Sequence, residues 1–149
     1  MSRAQSKADA AQAAVLAELR PGQSIELLKE LHILTREGRL NQDSRRKLKQ
    51  VYHLYQFIEP LLVELSANGH APVLADHGAG KSYLGFILYD LFFKQLGRGE
   101  IHGIEWRTEL VQRSRALAER LGFARMQFLD MAVADAAAQA GLPGSFDIV

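Results

Sequence analysis

Between Pro72 and Leu84 the chain reads Pro-Val-Leu-Ala-Asp-His-Gly-Ala-Gly-Lys-Ser-Tyr-Leu. This is a short apolar run, a Gly-x-Gly turn and the first turn of an amphipathic helix. Gly78 and Gly80 carry no side chain, so the backbone can approach a ligand closely, and the free N–H groups of the following helix face the same space. A strand entering a helix through such a turn is a nucleotide-binding corner. Which nucleotide it suits decides what the chain does.

The sequence around the corner sets the fold class. After residue 70, short apolar runs alternate with helical patterns, the order of a parallel sheet with crossover helices. The spacing predicts strands at 73–75, 101–104 and 126–129, helices at 81–96, 108–121 and 133–140, and the opening of a fourth strand at 146–149. The first half is helical instead. Helix 5–19 stops at Pro21-Gly22, and Ser24 caps a helix over 25–34 in which Ile25, Leu28 and Leu31 share a face. Glu37-Gly38-Arg39 forms a loop. From Asp43 the residues Leu48, Val51, Tyr52, Tyr55, Ile58, Leu62 and Leu65 recur three or four apart, as on a long helix with one buried stripe. Pro60 predicts a kink or a fresh helix start near Glu59, and Asn68-Gly69 closes the region. The expected organisation is a helical extension over 1–70 and a nucleotide-binding domain over 71–149.

Composition narrows the chemistry. With no cysteine in 149 residues, disulfides and zinc–cysteine sites are excluded. His32, His53, His70, His77 and His102 lack metal-ligand spacing, so no metal is assigned. A net charge of +1 argues against wholesale polyanion binding and confines any nucleic-acid contact to a local patch. The alanine-rich start is not a secretory signal, and no run is long and apolar enough for a bilayer, so a cytoplasmic location is expected.

Three ligands compete for the corner. A dinucleotide fingerprint needs a third glycine where the chain has Tyr83, so close helix-to-strand packing is not indicated there. A phosphate loop fits Gly80-Lys81-Ser82, with Ala75 in place of the first glycine; Lys81 would reach a terminal phosphate, and Ser82 and Asp130 would serve magnesium. Asp76 would then lie inside the loop and repel the polyphosphate. The third pattern, D-x-G-x-G, fits without substitution as Asp76, Gly78 and Gly80. It suits S-adenosylmethionine, whose methionine end carries an ammonium for the acid and a carboxylate for the helix N-terminus.

The next strands add to this pattern. Glu105 ends the second strand, where a carboxylate can accept from both ribose hydroxyls, and Trp106 beside it can pack on the adenine. Asp130 ends the third strand, placed for the adenine amino group, with Met131 adding apolar contact. Each acid also has a plainer reading as a favourable charge near a helix start, and Trp106 one as a packing residue.

The run Ala75-Asp76-His77-Gly78-Ala79-Gly80-Lys81-Ser82-Tyr83-Leu84, with Ile101-His102-Gly103-Ile104-Glu105 and Phe128-Leu129-Asp130, resembles the class I S-adenosylmethionine-dependent methyltransferases. Within them it is most similar to the branch whose corner reads D-x-G-x-G-K-[SG]-Y-L. The upstream run from Arg45 to Leu54 is like that branch's helical lead-in. The resemblance implies a Rossmann-like α/β fold, here partial with about four parallel strands, and S-adenosylmethionine as cofactor. The cofactor residues it implies are Asp76, His77, Gly78, Ala79, Gly80, Glu105, Trp106, Asp130 and Met131. His77 stands where many members carry a small or apolar residue.

In that family the sheet has seven strands, and residues after the fourth contact the substrate. The chain ends inside that strand, so it reads as the front part of a larger domain, with a small four-stranded protein as the plainer alternative. The implied reaction is methyl transfer to an acceptor, with RNA and protein both open and no catalytic residue assigned. A nucleoside-triphosphate-binding protein and a truncated, non-catalytic binding module are the alternatives. The basic run Arg36, Arg39, Arg45, Arg46, Lys47 and Lys49 suits RNA phosphate, with Tyr52, His53 and Tyr55 for base stacking. Its plainer reading is a solvated helix face whose aromatic residues point inward. An exposed sheet edge would favour association.

Overall fold

The structure of the protein, a computed structural model, describes residues 2–78 and 83–130. The chain divides into two compact units, Met1–Tyr55 and Gln56–Val149.

The first unit begins with α1 (Arg3–Glu18), capped by the Ser2 hydroxyl, which accepts from the Gln5 N–H at 3.2 Å. Helix α2 (Ile25–Glu30) is capped by Ser24, whose Oγ accepts from the Leu27 N–H at 3.1 Å. It stops at Glu30 rather than Leu34. His32 turns left-handed at φ 58°, the Ile33 N–H reaches the Leu28 carbonyl at 2.9 Å, and the His32 N–H reaches that of Lys29 at 3.0 Å. These bonds form the motif that closes a helix through a left-handed residue, with the buried pair Leu28 and Ile33 sealing it. Leu31 and Leu34 are buried beyond the closure, so apolar periodicity continues where helical geometry ends.

Helix α3 (Gln42–Leu65) is capped by Asn41, whose Oδ1 accepts from the Ser44 N–H at 2.8 Å and the Ser44 hydroxyl at 2.9 Å. It begins in the first unit, where Leu48 and Tyr55 are buried, and ends in the second. Pro60 lies inside it without starting a new helix. The ring removes one donor, and the bonds on either side carry the helix across.

In the second unit, left-handed Asn68 and Gly69 close α3, as expected. Three strands follow, β1 (Val73–His77), β2 (Glu100–Glu105) and β3 (Met126–Asp130), parallel and in the order β1-β2-β3. Each runs further toward its carboxyl end than its apolar residues alone indicate. The ladder persists while neighbours pair, so Asp76 and His77 stay in β1 opposite Gly103 and Ile104. The expected helix 133–140 and the fourth strand at 146–149 lie outside the described residues.

Between β1 and β2, α4 (Tyr83–Leu88) runs on through a π turn (Tyr89–Phe93) into α5 (Lys94–Leu96) and ends at left-handed Gly97. The predicted start at Lys81 is outside the described residues. The π turn was not foreseen; it carries Asp90, 1% exposed, whose Oδ1 accepts from the Lys94 ammonium at 2.5 Å. Helix α6 (Thr108–Leu121) packs on β2 and β3, where Arg115 donates to the Phe128 carbonyl. Phe86 stacks on Phe128 with ring centres 5.7 Å apart, joining α4 to β3, and Tyr89 stacks on Phe123 at 4.4 Å, joining the π turn to the segment between α6 and β3.

Candidate functional site

Parallel strands place their carboxyl ends along one edge of the sheet, and side chains two residues apart share a face. Asp76 pairs with Gly103, and Gly103 with Phe128, while Glu105 pairs with Asp130 one row further on. Asp76, Glu105 and Asp130 therefore lie on one face at the carboxyl edge, the edge where ligands of open α/β sheets bind. Gly103 puts no side chain into the row between them. Helix α4 covers the same face: a Cβ on Gly85 would sit 3.5 Å from Ile101 Cγ2, 3.6 Å from Met126 Cε and 3.7 Å from Asp76 Oδ2. The packing glycine absent at position 83 is thus supplied two residues later.

Asp76 is half-buried, and burial pushes its carboxyl above the ordinary aspartate range, with the neighbouring His77 partly offsetting this. His77 is also half-buried, and its Nδ1 is enclosed with no hydrogen-bond partner among the described residues. Both line a cleft of about 480 Å³ whose remaining walls, from α3, β1 and α4, are apolar apart from Gly85. Gly78 is left-handed at φ 63°, which favours glycine, and among the described residues no atom lies within 4 Å of the position its Cβ would take. Ala79, Gly80 and Met131 lie outside the described residues.

Glu105 is 3% exposed at the end of β2, and its Oε1 accepts from Arg107 Nε at 2.7 Å and the Arg107 N–H at 3.3 Å. The ion pair raises the Arg107 guanidinium above its ordinary range. Trp106 is 70% exposed, its ring centre 6.0 Å from the Arg107 guanidinium carbon. Asp130 is exposed. Arg107 was not foreseen as part of this group; the only trace in the sequence is its position two residues after the acid.

The phosphate-loop alternative starts its loop inside β1. Ala75, Asp76 and His77, which would form the first part of the loop, are ladder residues of β1, and the turn begins only at Gly78. The basic run lies on α3 and the preceding loop, and half of it is paired locally. Arg45 Nε meets Glu18 at 3.1 Å, Lys47 Nζ meets Asp43 at 3.1 Å, and Arg46 also pairs with Asp43. Arg36, Arg39 and Lys49 are exposed. Tyr55 is 2% exposed, and Tyr52 donates its hydroxyl to Gln23 Oε1 at 2.6 Å. Arg20 lies over both rings, 4.7 and 5.1 Å from their centres. The two tyrosines proposed for stacking on bases therefore serve the core of the first unit, while His53 is exposed.

Among the described residues, no group of three or more His, Cys, Asp or Glu side chains is placed to hold a metal ion, and no helix is long and apolar enough to cross a membrane. Comparison with curated proteins finds no match. The model of a family described as "Methyltransferase domain" matches residues 46–149, covering the end of the helical region, the glycine corner and all three acidic strand ends. The chain belongs to that methyltransferase-domain family.

Proposed function

We propose that the carboxyl edge of the β1–β3 sheet binds S-adenosylmethionine, and that the chain takes part in transferring its methyl group to a macromolecular acceptor, RNA or protein. The observation that carries this reading is the alignment of Asp76, Glu105 and Asp130 on one face at one sheet edge. Asp76 faces the ammonium of the methionine end, and the helix that follows the turn at Gly78 receives the carboxylate. The fit is chemical as well as geometric. A half-buried acid with an upward-shifted carboxyl gains from a cationic partner, and Gly78, with no side chain of its own, lets a ligand reach the backbone. Glu105 accepts from the ribose hydroxyls, Asp130 from the adenine amino group, and Trp106 and Met131 flank the base. His77 lines the methionine end.

When bound, the cofactor would supply an electrophilic methyl on its sulfonium for transfer to an acceptor nucleophile, with the thioether as leaving group. The contribution of these residues is to hold the cofactor in one orientation, so that the gain is one of proximity and alignment.

Titration calorimetry with S-adenosylmethionine and with Mg-ATP tests the assignment. Saturable binding of the first that is lost in Asp76→Ala, with none of the second, is the expected result. Mg-ATP binding that disappears in Lys81→Ala, with no binding of S-adenosylmethionine, overturns it.

A further inference from the structure

A buried acid that receives a sugar diol has to be both charged and aimed, and the rotation of a carboxylate about its last torsion is soft. In this chain one residue restrains Glu105 twice. The Arg107 side chain donates Nε to Glu105 Oε1 at 2.7 Å, and the Arg107 backbone donates its N–H to the same oxygen at 3.3 Å. The acid is 3% exposed, whereas the guanidinium is 46% exposed and reaches it from the solvent side. Arg107 is also the residue from which α6 starts, so its backbone is fixed by the helix that follows. Trp106 lies between the two in sequence, with the guanidinium 6.0 Å from its ring centre.

We propose that Arg107 is the positioning residue of the ribose subsite. By holding Oε1 of Glu105 it presents the carboxylate in one orientation, and so makes binding depend on the ribose hydroxyls. This rests on the S-adenosylmethionine reading above. The physical case is one of preorganisation. A charge-assisted bond formed before the ligand arrives removes the ordering that the acid would otherwise undergo on binding. A site built around an acceptor fixed in one orientation also discriminates against a ligand lacking the matching hydroxyl, because the hydrogen bond it is aimed to make is then lost. Arg107 acts through the acid it holds, so its effect appears in selectivity rather than in general affinity.

The test compares S-adenosylhomocysteine with its 2′-deoxyribose counterpart by calorimetry on the 149-residue chain. The intact protein is expected to favour the ribose form by about tenfold or more. Arg107→Ala is expected to weaken the ribose form about tenfold and the deoxy form little, collapsing the ratio. Glu105→Gln, which keeps the shape of the side chain, is expected to collapse the ratio as well, and Arg107→Ala added to it should change nothing further. Arg107→Lys, which retains a charge but not the planar donor, should recover only part of the selectivity. If the intact protein binds and the Arg107 variant weakens both ligands equally, or neither, the positioning role is overturned while the cofactor assignment stands. If the intact protein binds neither ligand, the cofactor assignment falls and this role falls with it.

Discussion

Glu105 and Asp130 are register partners across the parallel ladder of β2 and β3, two acids side by side on one face at its carboxyl end. Like charges directly opposite each other on neighbouring strands are destabilising. Arg107 offsets one member of the pair, since it holds Glu105, and Asp130 is exposed. Asp130→Asn is therefore expected to raise the stability of the ligand-free protein by a few tenths of a kcal/mol, up to about 1. Under the proposed assignment the same change should weaken S-adenosylmethionine by about tenfold, because the acceptor proposed for the adenine amino group becomes a mixed donor and acceptor. Urea unfolding and calorimetry on one preparation check both halves. An unchanged affinity would remove Asp130 from the site.

Asp76 gives a pH dependence with a definite sign. Burial raises its carboxyl in the folded protein above the ordinary value of 3.8. The folded state then holds the proton more tightly than the unfolded state, so this residue favours folding most below 3.8, and the advantage is lost as pH rises through the raised value. Asp76→Asn has no such loss. At neutral pH it is expected to be more stable than the parent, with the gap narrowing toward acid, and to bind S-adenosylmethionine poorly. Unfolding curves from pH 3.5 to 7.5 decide the matter. A variant that is less stable than the parent at pH 7 would contradict the desolvation account.

What the sequence disclosed and what it withheld divide along physical lines. The βαβ order, the Ser24 cap and the Asn68-Gly69 closure depend on local chemistry, such as turn residues, capping oxygens and periodicity, and the structure shows each of them. The extension of β1 to His77 depends on what β2 offers opposite it, which no local pattern encodes. The early end of α2 was hidden because Leu31, Ile33 and Leu34 are buried whether or not they are helical. The three acids were legible because glycines and strand ends mark them. Arg107 was not, because an arginine after a strand looks like any solvated residue until its Nε is found 2.7 Å from a buried carboxylate. The same holds for the pair of Asp90 and Lys94, whose spacing fits any surface helix but whose acid is 1% exposed.

Gly99 joins α5 to β2 under a double constraint. Its φ is +91°, and a Cβ would lie 2.7 Å from the Pro72 carbonyl oxygen and 2.9 Å from Phe93 Cε1. The first obstacle is backbone immediately before β1, and the second is a ring with no exposure, so neither yields cheaply. Gly99→Ala should cost about 2–4 kcal/mol, from backbone strain and overpacking together. Gly97→Ala is the control. It has a left-handed φ of +76° but, among the described residues, no atom within 4 Å of the Cβ position, and should cost about 1 kcal/mol. Thermal melts that rank the two equally would show that the contact with Pro72 relaxes.

Helices α2 and α6 end through the same hydrogen-bond pattern with different residues at the left-handed position. In α6 that position is Gly122 at φ 73°; the Phe123 N–H reaches the Ala118 carbonyl at 2.8 Å and the Gly122 N–H reaches that of Glu119 at 3.1 Å. In α2 it is His32 at φ 58°, with a side chain the left-handed region disfavours, and Lys47 Nζ donates to its carbonyl at 2.9 Å. The left-handed conformation costs an ordinary residue about 1–2 kcal/mol, and glycine gives back part of the gain through its greater freedom in the unfolded chain. His32→Gly is therefore expected to stabilise the protein by about 0.5–1 kcal/mol, and Gly122→His to destabilise it by a similar amount. The His32 side chain is exposed and its bond to Lys47 runs through the backbone, so the substitution removes neither packing nor that bond. Equilibrium unfolding of the two variants should give shifts of opposite sign; a loss of stability in His32→Gly would mean that the imidazole makes a contribution larger than the strain it carries.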